Sequence, residues 1–455
     1  MELMRIVLSD IISRDLTQMK AAPNNQRPRE NIVDVCERLS SISSNSGISS
    51  VLECINADAL VIGAGPAGLA TAVCLQRKGV HNVVVLEQSD CIASLWRERT
   101  YDRLCLHIPK HLSELPYMHF PREVPKFPTR RQFLDYLDAY ARENSIRPHF
   151  NQKVWRAWHN DSERMWYVHT VAAADEGDLI QLPRTYRAAC LVVASGENAE
   201  PILPSEGATP GIRSACNFPG LHQFSGKVLH SCQYKNGHSF RGKSVLVVGC
   251  GNSGLEVSLD LADHGAMPSI SVRSPVHVLP REIYGISTFS IAMALSKFLT
   301  LRWTDRLLLW LSGLVLGDLS AYGFRRPSPG PLELKETIGK TPLLDVGALT
   351  RVKDGSIRVV PAVHSFASTG CFFADGNFED FDAVVLATGY QNNVPSWLKV
   401  ESTCMSDGCR GQWKSTNNLY FAGFSRKGLL GISLDARRIA VDIQQQQKFR
   451  HSTKT

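Results

Sequence analysis

Two glycine-rich segments of the same pattern constrain the fold of this chain more than any other feature. Residues 61–68 read VIGAGPAG and residues 247–254 read VVGCGNSG, so both carry three glycines in GxGxxG spacing. Each segment follows a short apolar stretch and precedes a longer one that contains small or aliphatic residues. This order of strand, glycine turn and helix is typical of a βαβ unit that binds the pyrophosphate of a dinucleotide.

The first unit is complete in the sequence. We predict a strand that ends at Ile62, a helix that ends near Gly79 and a second strand that ends at Leu86. The glycines allow a tight turn, backbone approach to a pyrophosphate and close packing of helix on strand, while the helix N-terminus attracts the phosphates. Glu87 closes the second strand, where a carboxylate accepts hydrogen bonds from ribose hydroxyls. The predicted cofactor-binding residues of this turn are Gly63, Gly65 and Gly68.

The second unit repeats the pattern with one informative difference. Arg273 stands at the same offset from the first glycine of its turn as Glu87 does in the first unit. A carboxylate would repel a 2′-phosphate, whereas a guanidinium binds one, so the second unit is predicted to bind NADPH. A solvated charge at a strand end is the alternative for Arg273. The predicted cofactor-binding residues of this turn are Gly249, Gly251, Asn252, Ser253 and Gly254.

A chain with two such sites can pass a hydride from one nucleotide to the other, which predicts FAD in the first unit and NADPH in the second. Residues 191–201, LVVASGENAEP, and residues 383–398, AVVLATGYQNNVPSWL, are similar apolar strands that end in Ala-(Ser/Thr)-Gly. We expect both to end beside a nucleotide, where the chain crosses between domains, with Thr388 and Gly389 at the cofactor.

The fold is therefore predicted to be α/β, with two Rossmann-like dinucleotide-binding domains, the NADPH domain being inserted into the FAD domain. The expected segments are a disordered N-terminal extension at 1–56, the first part of the FAD domain at 57–225, the NADPH domain at 226–375, the second part of the FAD domain at 376–446 and a tail at 447–455.

Composition argues against several other classes. The 455 residues carry a net charge of +7 that is spread along the chain, which does not favour nucleic acid as a partner. The twelve cysteines form no CxxC pair and no zinc spacing, so we expect no metal and a reducing, cytoplasmic location. The apolar stretch 283–317 is interrupted by charges, and its longest uncharged run, which ends before Lys297, is 14 residues long, too short to span a membrane. Buried or half-buried helices are expected there; peripheral membrane contact or a wall for a hydrophobic substrate are the alternatives. The oligomeric state is left open.

A further motif precedes the second unit. Residues 224–237 read FSGKVLHSCQYKNG, which fills the pattern FxGxxxHxxxY with Phe224, Gly226, His230 and Tyr234. Between two GxGxxG turns, this pattern resembles the signature of flavin-containing monooxygenases. The segments VHVLPREIYGISTF, LATGYQNNVPSWL and GFSRKGLLGISLDA are similar to the plant YUCCA branch, the auxin-forming flavin monooxygenases. The resemblance covers roughly residues 57–446 and does not include the N-terminal extension.

The resemblance implies a reaction and further site residues. NADPH would reduce FAD, O2 would add as a flavin C4a-hydroperoxide, and attack on indole-3-pyruvate with loss of CO2 would give indole-3-acetic acid. Trp96, in the similar segment CIASLWRERTYDRL, is implied as a cofactor-binding residue. His107, in LHIPK, takes the place of an asparagine beside the flavin in general flavin monooxygenases and is implied as catalytic; a packed loop histidine is the alternative.

Three other functions are weaker. A disulfide reductase needs a redox cysteine pair after the first turn, where Cys91 and Cys105 are too far apart. A non-catalytic dinucleotide-fold binding protein would lack the second turn. Only His107, which stands in place of an asparagine, and the overall resemblance to the YUCCA branch argue against a broad-range N- or S-oxygenating flavin monooxygenase. That activity therefore remains the alternative within the same class.

Overall fold

The computed structural model describes residues 54–172, 184–204, 218–399, 412–425 and 427–452, with side chains through residue 448. Most of the predicted N-terminal extension therefore lies outside the described residues. Residues 54–56 are an exception, because they already belong to the first strand and correct the expected boundary at 57. Within the described ranges, no helix combines the length and apolar character that crossing a bilayer requires.

The chain combines runs of consecutive strands with α-helices. The α-helices are α1 (Pro66–Arg77), α2 (Ser94–Glu98), α3 (Arg130–Glu143), α4 (Asn252–Asp263), α5 (Thr288–Leu295), α6 (Leu301–Leu316), α7 (Pro331–Thr337), α8 (Ala348–Lys353), α9 (Val394–Trp397) and α10 (Gly428–Ser452). The strands are β1 (Cys54–Ile62), β2 (Val83–Leu86), β3 (Gln152–Asn160), β4 (Met165–Ala172), β5 (Arg184–Val193), β6 (Glu200–Pro201), β7 (Lys227–His230), β8 (Ser244–Val248), β9 (Met267–Ser271), β10 (Val278–Pro280), β11 (Glu282–Ile283), β12 (Ile286–Ser287), β13 (Leu343–Asp345), β14 (Arg358–Val360), β15 (Val363–Phe366), β16 (Gly370–Phe373), β17 (Phe378–Asp380), β18 (Ala383–Leu386), β19 (Tyr390–Gln391) and β20 (Leu419–Phe421).

The first sheet has the strand order β2-β1-β5-β4-β3, and β20 also pairs with β5. The pairs β1–β2, β1–β5 and β5–β20 are parallel, whereas β3 and β4 form an antiparallel hairpin at the edge. Apolar runs such as VVVL in β2 suit parallel strands that are covered on both faces. Helices α1 and α10 cover one face, where Leu69 and Val73 share a buried cluster with Ile439 and Ile443.

The second sheet has the order β14-β9-β8-β18-β7, and all of its pairs are parallel. Its strand β18 corrects a predicted boundary, because residues 376–446 were assigned to the returning FAD domain. Ala383–Leu386 instead pairs with both β7 and β8, so the chain leaves the second sheet only after Leu386. The expected tail is also corrected, since α10 continues to Ser452.

The two predicted crossing segments lie side by side. Strand β6, which follows β5 of the first sheet, pairs antiparallel with β19, which follows β18 of the second. The amide of Ile202 donates to the carbonyl of Gly389 at 2.9 Å, and the Thr388 hydroxyl donates to the carbonyl of Ile202 at 2.6 Å. The two connections between the sheets are thus one hydrogen-bonded unit that fixes where the carboxyl ends of both sheets meet.

Candidate functional site: two dinucleotide turns

At two of its three glycines, the first turn is packed so closely that no side chain would fit. Gly63 has a φ of +108°, and a Cβ on it would lie 2.6 Å from the carbonyl oxygen of Ala194. A Cβ on Gly68 would lie 1.8 Å from the carbonyl oxygen of Gly63. A Cβ on Gly65, by contrast, would meet no protein atom within 4 Å. Gly63 and Gly68 are therefore required by the fold itself, whereas Gly65 borders open space.

A cavity of about 330 Å³ opens in front of this turn. It collects residues from the ends of β1, β2 and β5, from α2 and α9, and from the start of α10. The predicted residues Gly63, Gly65, Glu87 and Trp96 line it, and Gly68 does not, because it lies behind the turn. Sequence reasoning did not assign several other lining residues: Arg99, Ser195, Asn393, Trp397, Leu429 and Ile432.

Glu87 both lines the cavity and braces the turn. Its buried carboxylate accepts hydrogen bonds from the amides of Ala64 at 2.8 Å and Ser89 at 3.1 Å, and from the Ser94 hydroxyl at 3.3 Å. Burial raises the pKa of the Glu87 carboxyl, and these hydrogen bonds oppose the rise because they favour the ionised form. The residue predicted to receive a ribose thus also ties β2 to the glycine turn.

The polar groups at this cavity fit a dinucleotide. Helix α1 begins at Pro66, and the residue before it, Gly65, offers no side-chain cap, so the free amides of the first turn remain available to phosphate oxygens. The buried hydroxyl of Ser195, at the end of β5, has no hydrogen-bond partner among the described residues. A buried hydroxyl without a partner is costly unless a ligand or water completes it.

The second turn repeats this geometry. Gly249 has a φ of +111°, and a Cβ on it would lie 2.5 Å from the carbonyl oxygen of Ala387, while a Cβ on Gly254 would lie 2.1 Å from the carbonyl oxygen of Gly249. Gly251 borders open space and directly precedes α4, to which it offers no side-chain cap. Both turns are therefore built alike, with one glycine free for a ligand and two committed to packing.

The remaining predicted residues of the second unit have different surroundings. The Asn252 side chain accepts a hydrogen bond from the amide of Leu344 at 3.0 Å, so it anchors β13 to the turn. Arg273 is exposed just after β9, and within the described ranges no ion pair engages its guanidinium. Its role with a 2′-phosphate stays a prediction, as does the role of Thr388 and Gly389 at the cofactor, whose hydrogen bonds join the two connections.

His107 does not line the cavity. Its Nε2 is hydrogen-bonded to the buried carboxylate of Glu256, which lies on α4 of the second unit. Tyr101, from the same loop, is buried in the hydrophobic cluster of the second unit, and burial together with the nearby Glu256 charge raises the pKa of its hydroxyl, which stays protonated. The loop that contains Tyr101 and His107 thus packs against α4, the helix that follows the second turn. The catalytic role implied for His107 stays a prediction; its Glu256 partner was not predicted.

One group of metal-ligand type lies near α2. Asp90, Cys91 and Glu98 bring three potential ligand atoms within 4.8 Å of one another, and the two acids are exposed. Burial and the neighbouring acids raise the pKa of the Cys91 thiol to about 12, so the thiol is protonated beside the two exposed acids. The group is best described as a solvated acidic cluster.

Comparison with known proteins agrees with this architecture. The sequence model of the family described as "Flavin-binding monooxygenase-like" matches residues 57–404. A probable indole-3-pyruvate monooxygenase of Arabidopsis thaliana, YUCCA9, is 51% identical over 389 residues, which are 84% of this chain and 88% of the relative. The indole-3-pyruvate monooxygenase YUCCA4 of Oryza sativa subsp. japonica is 51% identical over 397 residues, 85% of this chain and 87% of the relative.

Among solved structures, the OTEMO complex with FAD and NADP aligns with a TM-score of 0.62 at 16% identity, covering 86% of this chain and 86% of that one. At that identity the likeness supports the two-domain α/β fold alone. The family match and the sequence relatives decide the class. The chain belongs to the flavin-binding monooxygenase-like family and, within it, to the YUCCA branch.

Valine at either open glycine should remove one nucleotide and leave the other. Because a Cβ at Gly65 meets only open space in the protein, Gly65→Val should fold and yet exclude the pyrophosphate, so the purified protein should be colourless. Gly251→Val is the matched variant at the second turn, and it should remain yellow while losing reduction by NADPH. Flavin absorbance and circular dichroism measure both results.

The opposite outcomes would refute the assignment. A folded Gly65→Val protein that binds flavin stoichiometrically would show that the first turn is not the flavin site. Loss of flavin from Gly251→Val, with its fold retained, would show that the two turns had been exchanged.

Proposed function

We propose that this chain is an NADPH- and FAD-dependent monooxygenase that converts indole-3-pyruvate to indole-3-acetic acid. The balanced reaction consumes indole-3-pyruvate, O2, NADPH and a proton, and it gives indole-3-acetic acid, CO2, NADP⁺ and water. The observation that carries the proposal is the pair of equivalent glycine turns in one chain, joined by the β6–β19 connection. The names of the YUCCA relatives supply the substrate.

FAD would occupy the cavity of the first unit, where it supplies hydride acceptance and oxygen activation. The first amides of α1 and the open backbone at Gly65 would bind its pyrophosphate, and Glu87 and Ser195 would receive its ribose and other polar groups. NADPH would bind at the second turn, with Gly251 at the pyrophosphate and Arg273 at the 2′-phosphate.

The protein's own contribution to the reaction would be positioning and the exclusion of water. Trp96, Trp397, Leu429 and Ile432 give the cavity an apolar wall, which protects reactive species from hydrolysis and suits an indole ring. The contacts of His107 and Tyr101 with Glu256 would hold the first-unit loop against the NADPH helix, so that the two nucleotides keep one relative position.

We also propose a cytoplasmic location. The cysteines of the described residues are free, and unbridged thiols are typical of a reducing compartment. The partners that the reaction requires are a small-molecule substrate, indole-3-pyruvate, and O2.

Arg273→Gln should weaken the binding of NADPH and leave the use of NADH nearly unchanged. A charge-assisted hydrogen bond to phosphate contributes roughly 1.5–3 kcal/mol, which is on the order of ten- to a hundredfold in affinity. The measurement is KM for each coenzyme in NAD(P)H oxidation. Arg358→Gln is the matched control, because Arg358 is an exposed arginine on the neighbouring strand that already pairs with Glu379 at 2.7 Å.

An unchanged preference for NADPH in Arg273→Gln would show that the 2′-phosphate is bound elsewhere. Lys243 would be the next residue to test. Arg281 is a weaker candidate, since its guanidinium lies over the Phe127 ring at 4.3 Å.

Indole-3-pyruvate should be consumed with matched NADPH oxidation and O2 uptake, and CO2 and indole-3-acetate should appear one for one. The acid should carry one oxygen from labelled O2, measured by mass spectrometry, because the ketone carbon gains that oxygen as its carboxylate leaves. A ketone without the neighbouring carboxylate is the matched control and should not give the corresponding acid.

Two results would contradict the reaction. An acid with no label from O2 would exclude monooxygenation. Trimethylamine oxygenated much faster than the keto acid would assign the chain to the N- or S-oxygenating alternative.

A further inference from the structure

Helices α5 and α6 and the turn between them form an exposed apolar surface, which we call the apolar hairpin (residues 284–315). The sequence predicted buried or half-buried helices here; the helices are present and half-buried, and several large apolar side chains of the segment face outward. The exposed fractions decide this point: Tyr284 is 86% exposed, Phe298 87%, Trp303 59%, Trp310 60% and Leu314 59%.

Helix α6 differs from an ordinary surface helix. Its buried face carries the polar residues Thr304, Asp305 and Ser312 together with Leu308 and Leu316, while tryptophans lie on the outward face. A surface helix normally points its apolar stripe toward the core. The tryptophans of this helix point away from it.

Hydrogen bonds fix this orientation. The Asp305 carboxylate accepts from the amides of Leu332 at 2.9 Å and Glu333 at 3.1 Å, which are the first amides of α7. The Ser312 hydroxyl is satisfied within α6 itself, where it donates to the carbonyl of Leu308 at 2.7 Å, so the contacts of Asp305 are the ones that hold the helix in this orientation. Rotating α6 to bury its tryptophans would expose Asp305 and leave the N-terminus of α7 without its cap. The outward apolar face is therefore part of the folded state.

Charges around the tip of the hairpin are of one sign. Between residues 288 and 315 the cations are Lys297, Arg302 and Arg306, and the one acid, Asp305, is buried. The Arg306 guanidinium lies over the Trp303 ring at 5.1 Å, so a cation and an aromatic share the same outward surface. Aromatic and basic side chains on one face are typical of helices that lie in the headgroup region of a bilayer.

We propose that the apolar hairpin is a membrane-docking surface that binds the headgroup region of an anionic bilayer. With 16 residues, α6 is roughly 24 Å long, which is shorter than the hydrocarbon core of a bilayer, so it lies in the interface. Phe298 and the tryptophans enter the acyl boundary, and the three cations contact anionic headgroups. This surface is separate from both glycine turns, and the inference does not depend on the proposed reaction.

A second copy of the chain fits this surface less well. A two-fold contact through the hairpin would bring the cations of both copies together, since each side presents the same Lys297, Arg302 and Arg306. Like charges at an interface disfavour association. An anionic bilayer complements both the apolar and the charged parts of the surface.

The test is co-sedimentation of the full-length holoprotein with vesicles of phosphatidylcholine alone or with phosphatidylserine added. The protein should bind the anionic vesicles, its tryptophan fluorescence should shift to shorter wavelength, and salt should weaken binding. Removing both tip cations in Lys297→Gln/Arg302→Gln should lower the partition coefficient on the order of 30-fold. Phe298→Ser/Trp303→Ser should lower it by roughly tenfold or more.

Met267→Ser is the matched control, because Met267 is 58% exposed on β9, outside the hairpin, and its change should leave binding unaltered. Flavin absorbance confirms that each variant is folded. Absent binding to anionic vesicles would overturn the proposal, as would equal binding by the hairpin variants and the wild type. A concentration-dependent dimer in sedimentation velocity that disappears in Phe298→Ser/Trp303→Ser would also overturn it, in favour of a second copy.

Discussion

Close approach of backbone to backbone at two glycine turns is the constraint on which the rest of this structure depends. At each turn one glycine faces a carbonyl at the end of a neighbouring strand, Ala194 or Ala387, and another faces the carbonyl of the first glycine. Any side chain at these positions would push the helix away from its strand. The same contacts aim the helix N-terminus at the open side of the turn, so the requirement of the fold and the requirement of the ligand coincide.

The two turns are held in one relative position because the chain connects the two sheets twice and the two connections are hydrogen-bonded to each other. Strands β6 and β19 pair, and the loop with Tyr101 and His107 reaches across to Glu256 on the helix of the second turn. A buried carboxylate left without His107 or Tyr101 would be costly. These contacts therefore specify one relative position of the nucleotide sites, which a transfer between two nucleotides requires.

Local patterns in the sequence predicted much of this arrangement. The strand Val83–Leu86 has the bounds that were predicted, and both glycine turns open a helix. Nonlocal features could not be obtained this way. The membership of β18 in the second sheet depends on its pairing with β7 and β8, and the partner of His107 lies far away in sequence. The apolar stretch 283–317 was predicted to form buried or half-buried helices, and α6 is half-buried; composition alone does not show that Asp305 and Ser312 occupy its inner face while its tryptophans face outward.

The proposed reaction requires that a hydride pass from a nucleotide at the second turn to a flavin at the first. The test is to mix the holoprotein with NADPH in the absence of O2 and to follow the flavin absorbance in a stopped-flow instrument. The flavin should bleach, and NADPH deuterated at C4 of the nicotinamide should bleach it more slowly through a primary isotope effect. Flavin that stays oxidised, or that bleaches at the same rate with the deuterated coenzyme while transfer limits the rate, would show that this hydride transfer does not take place.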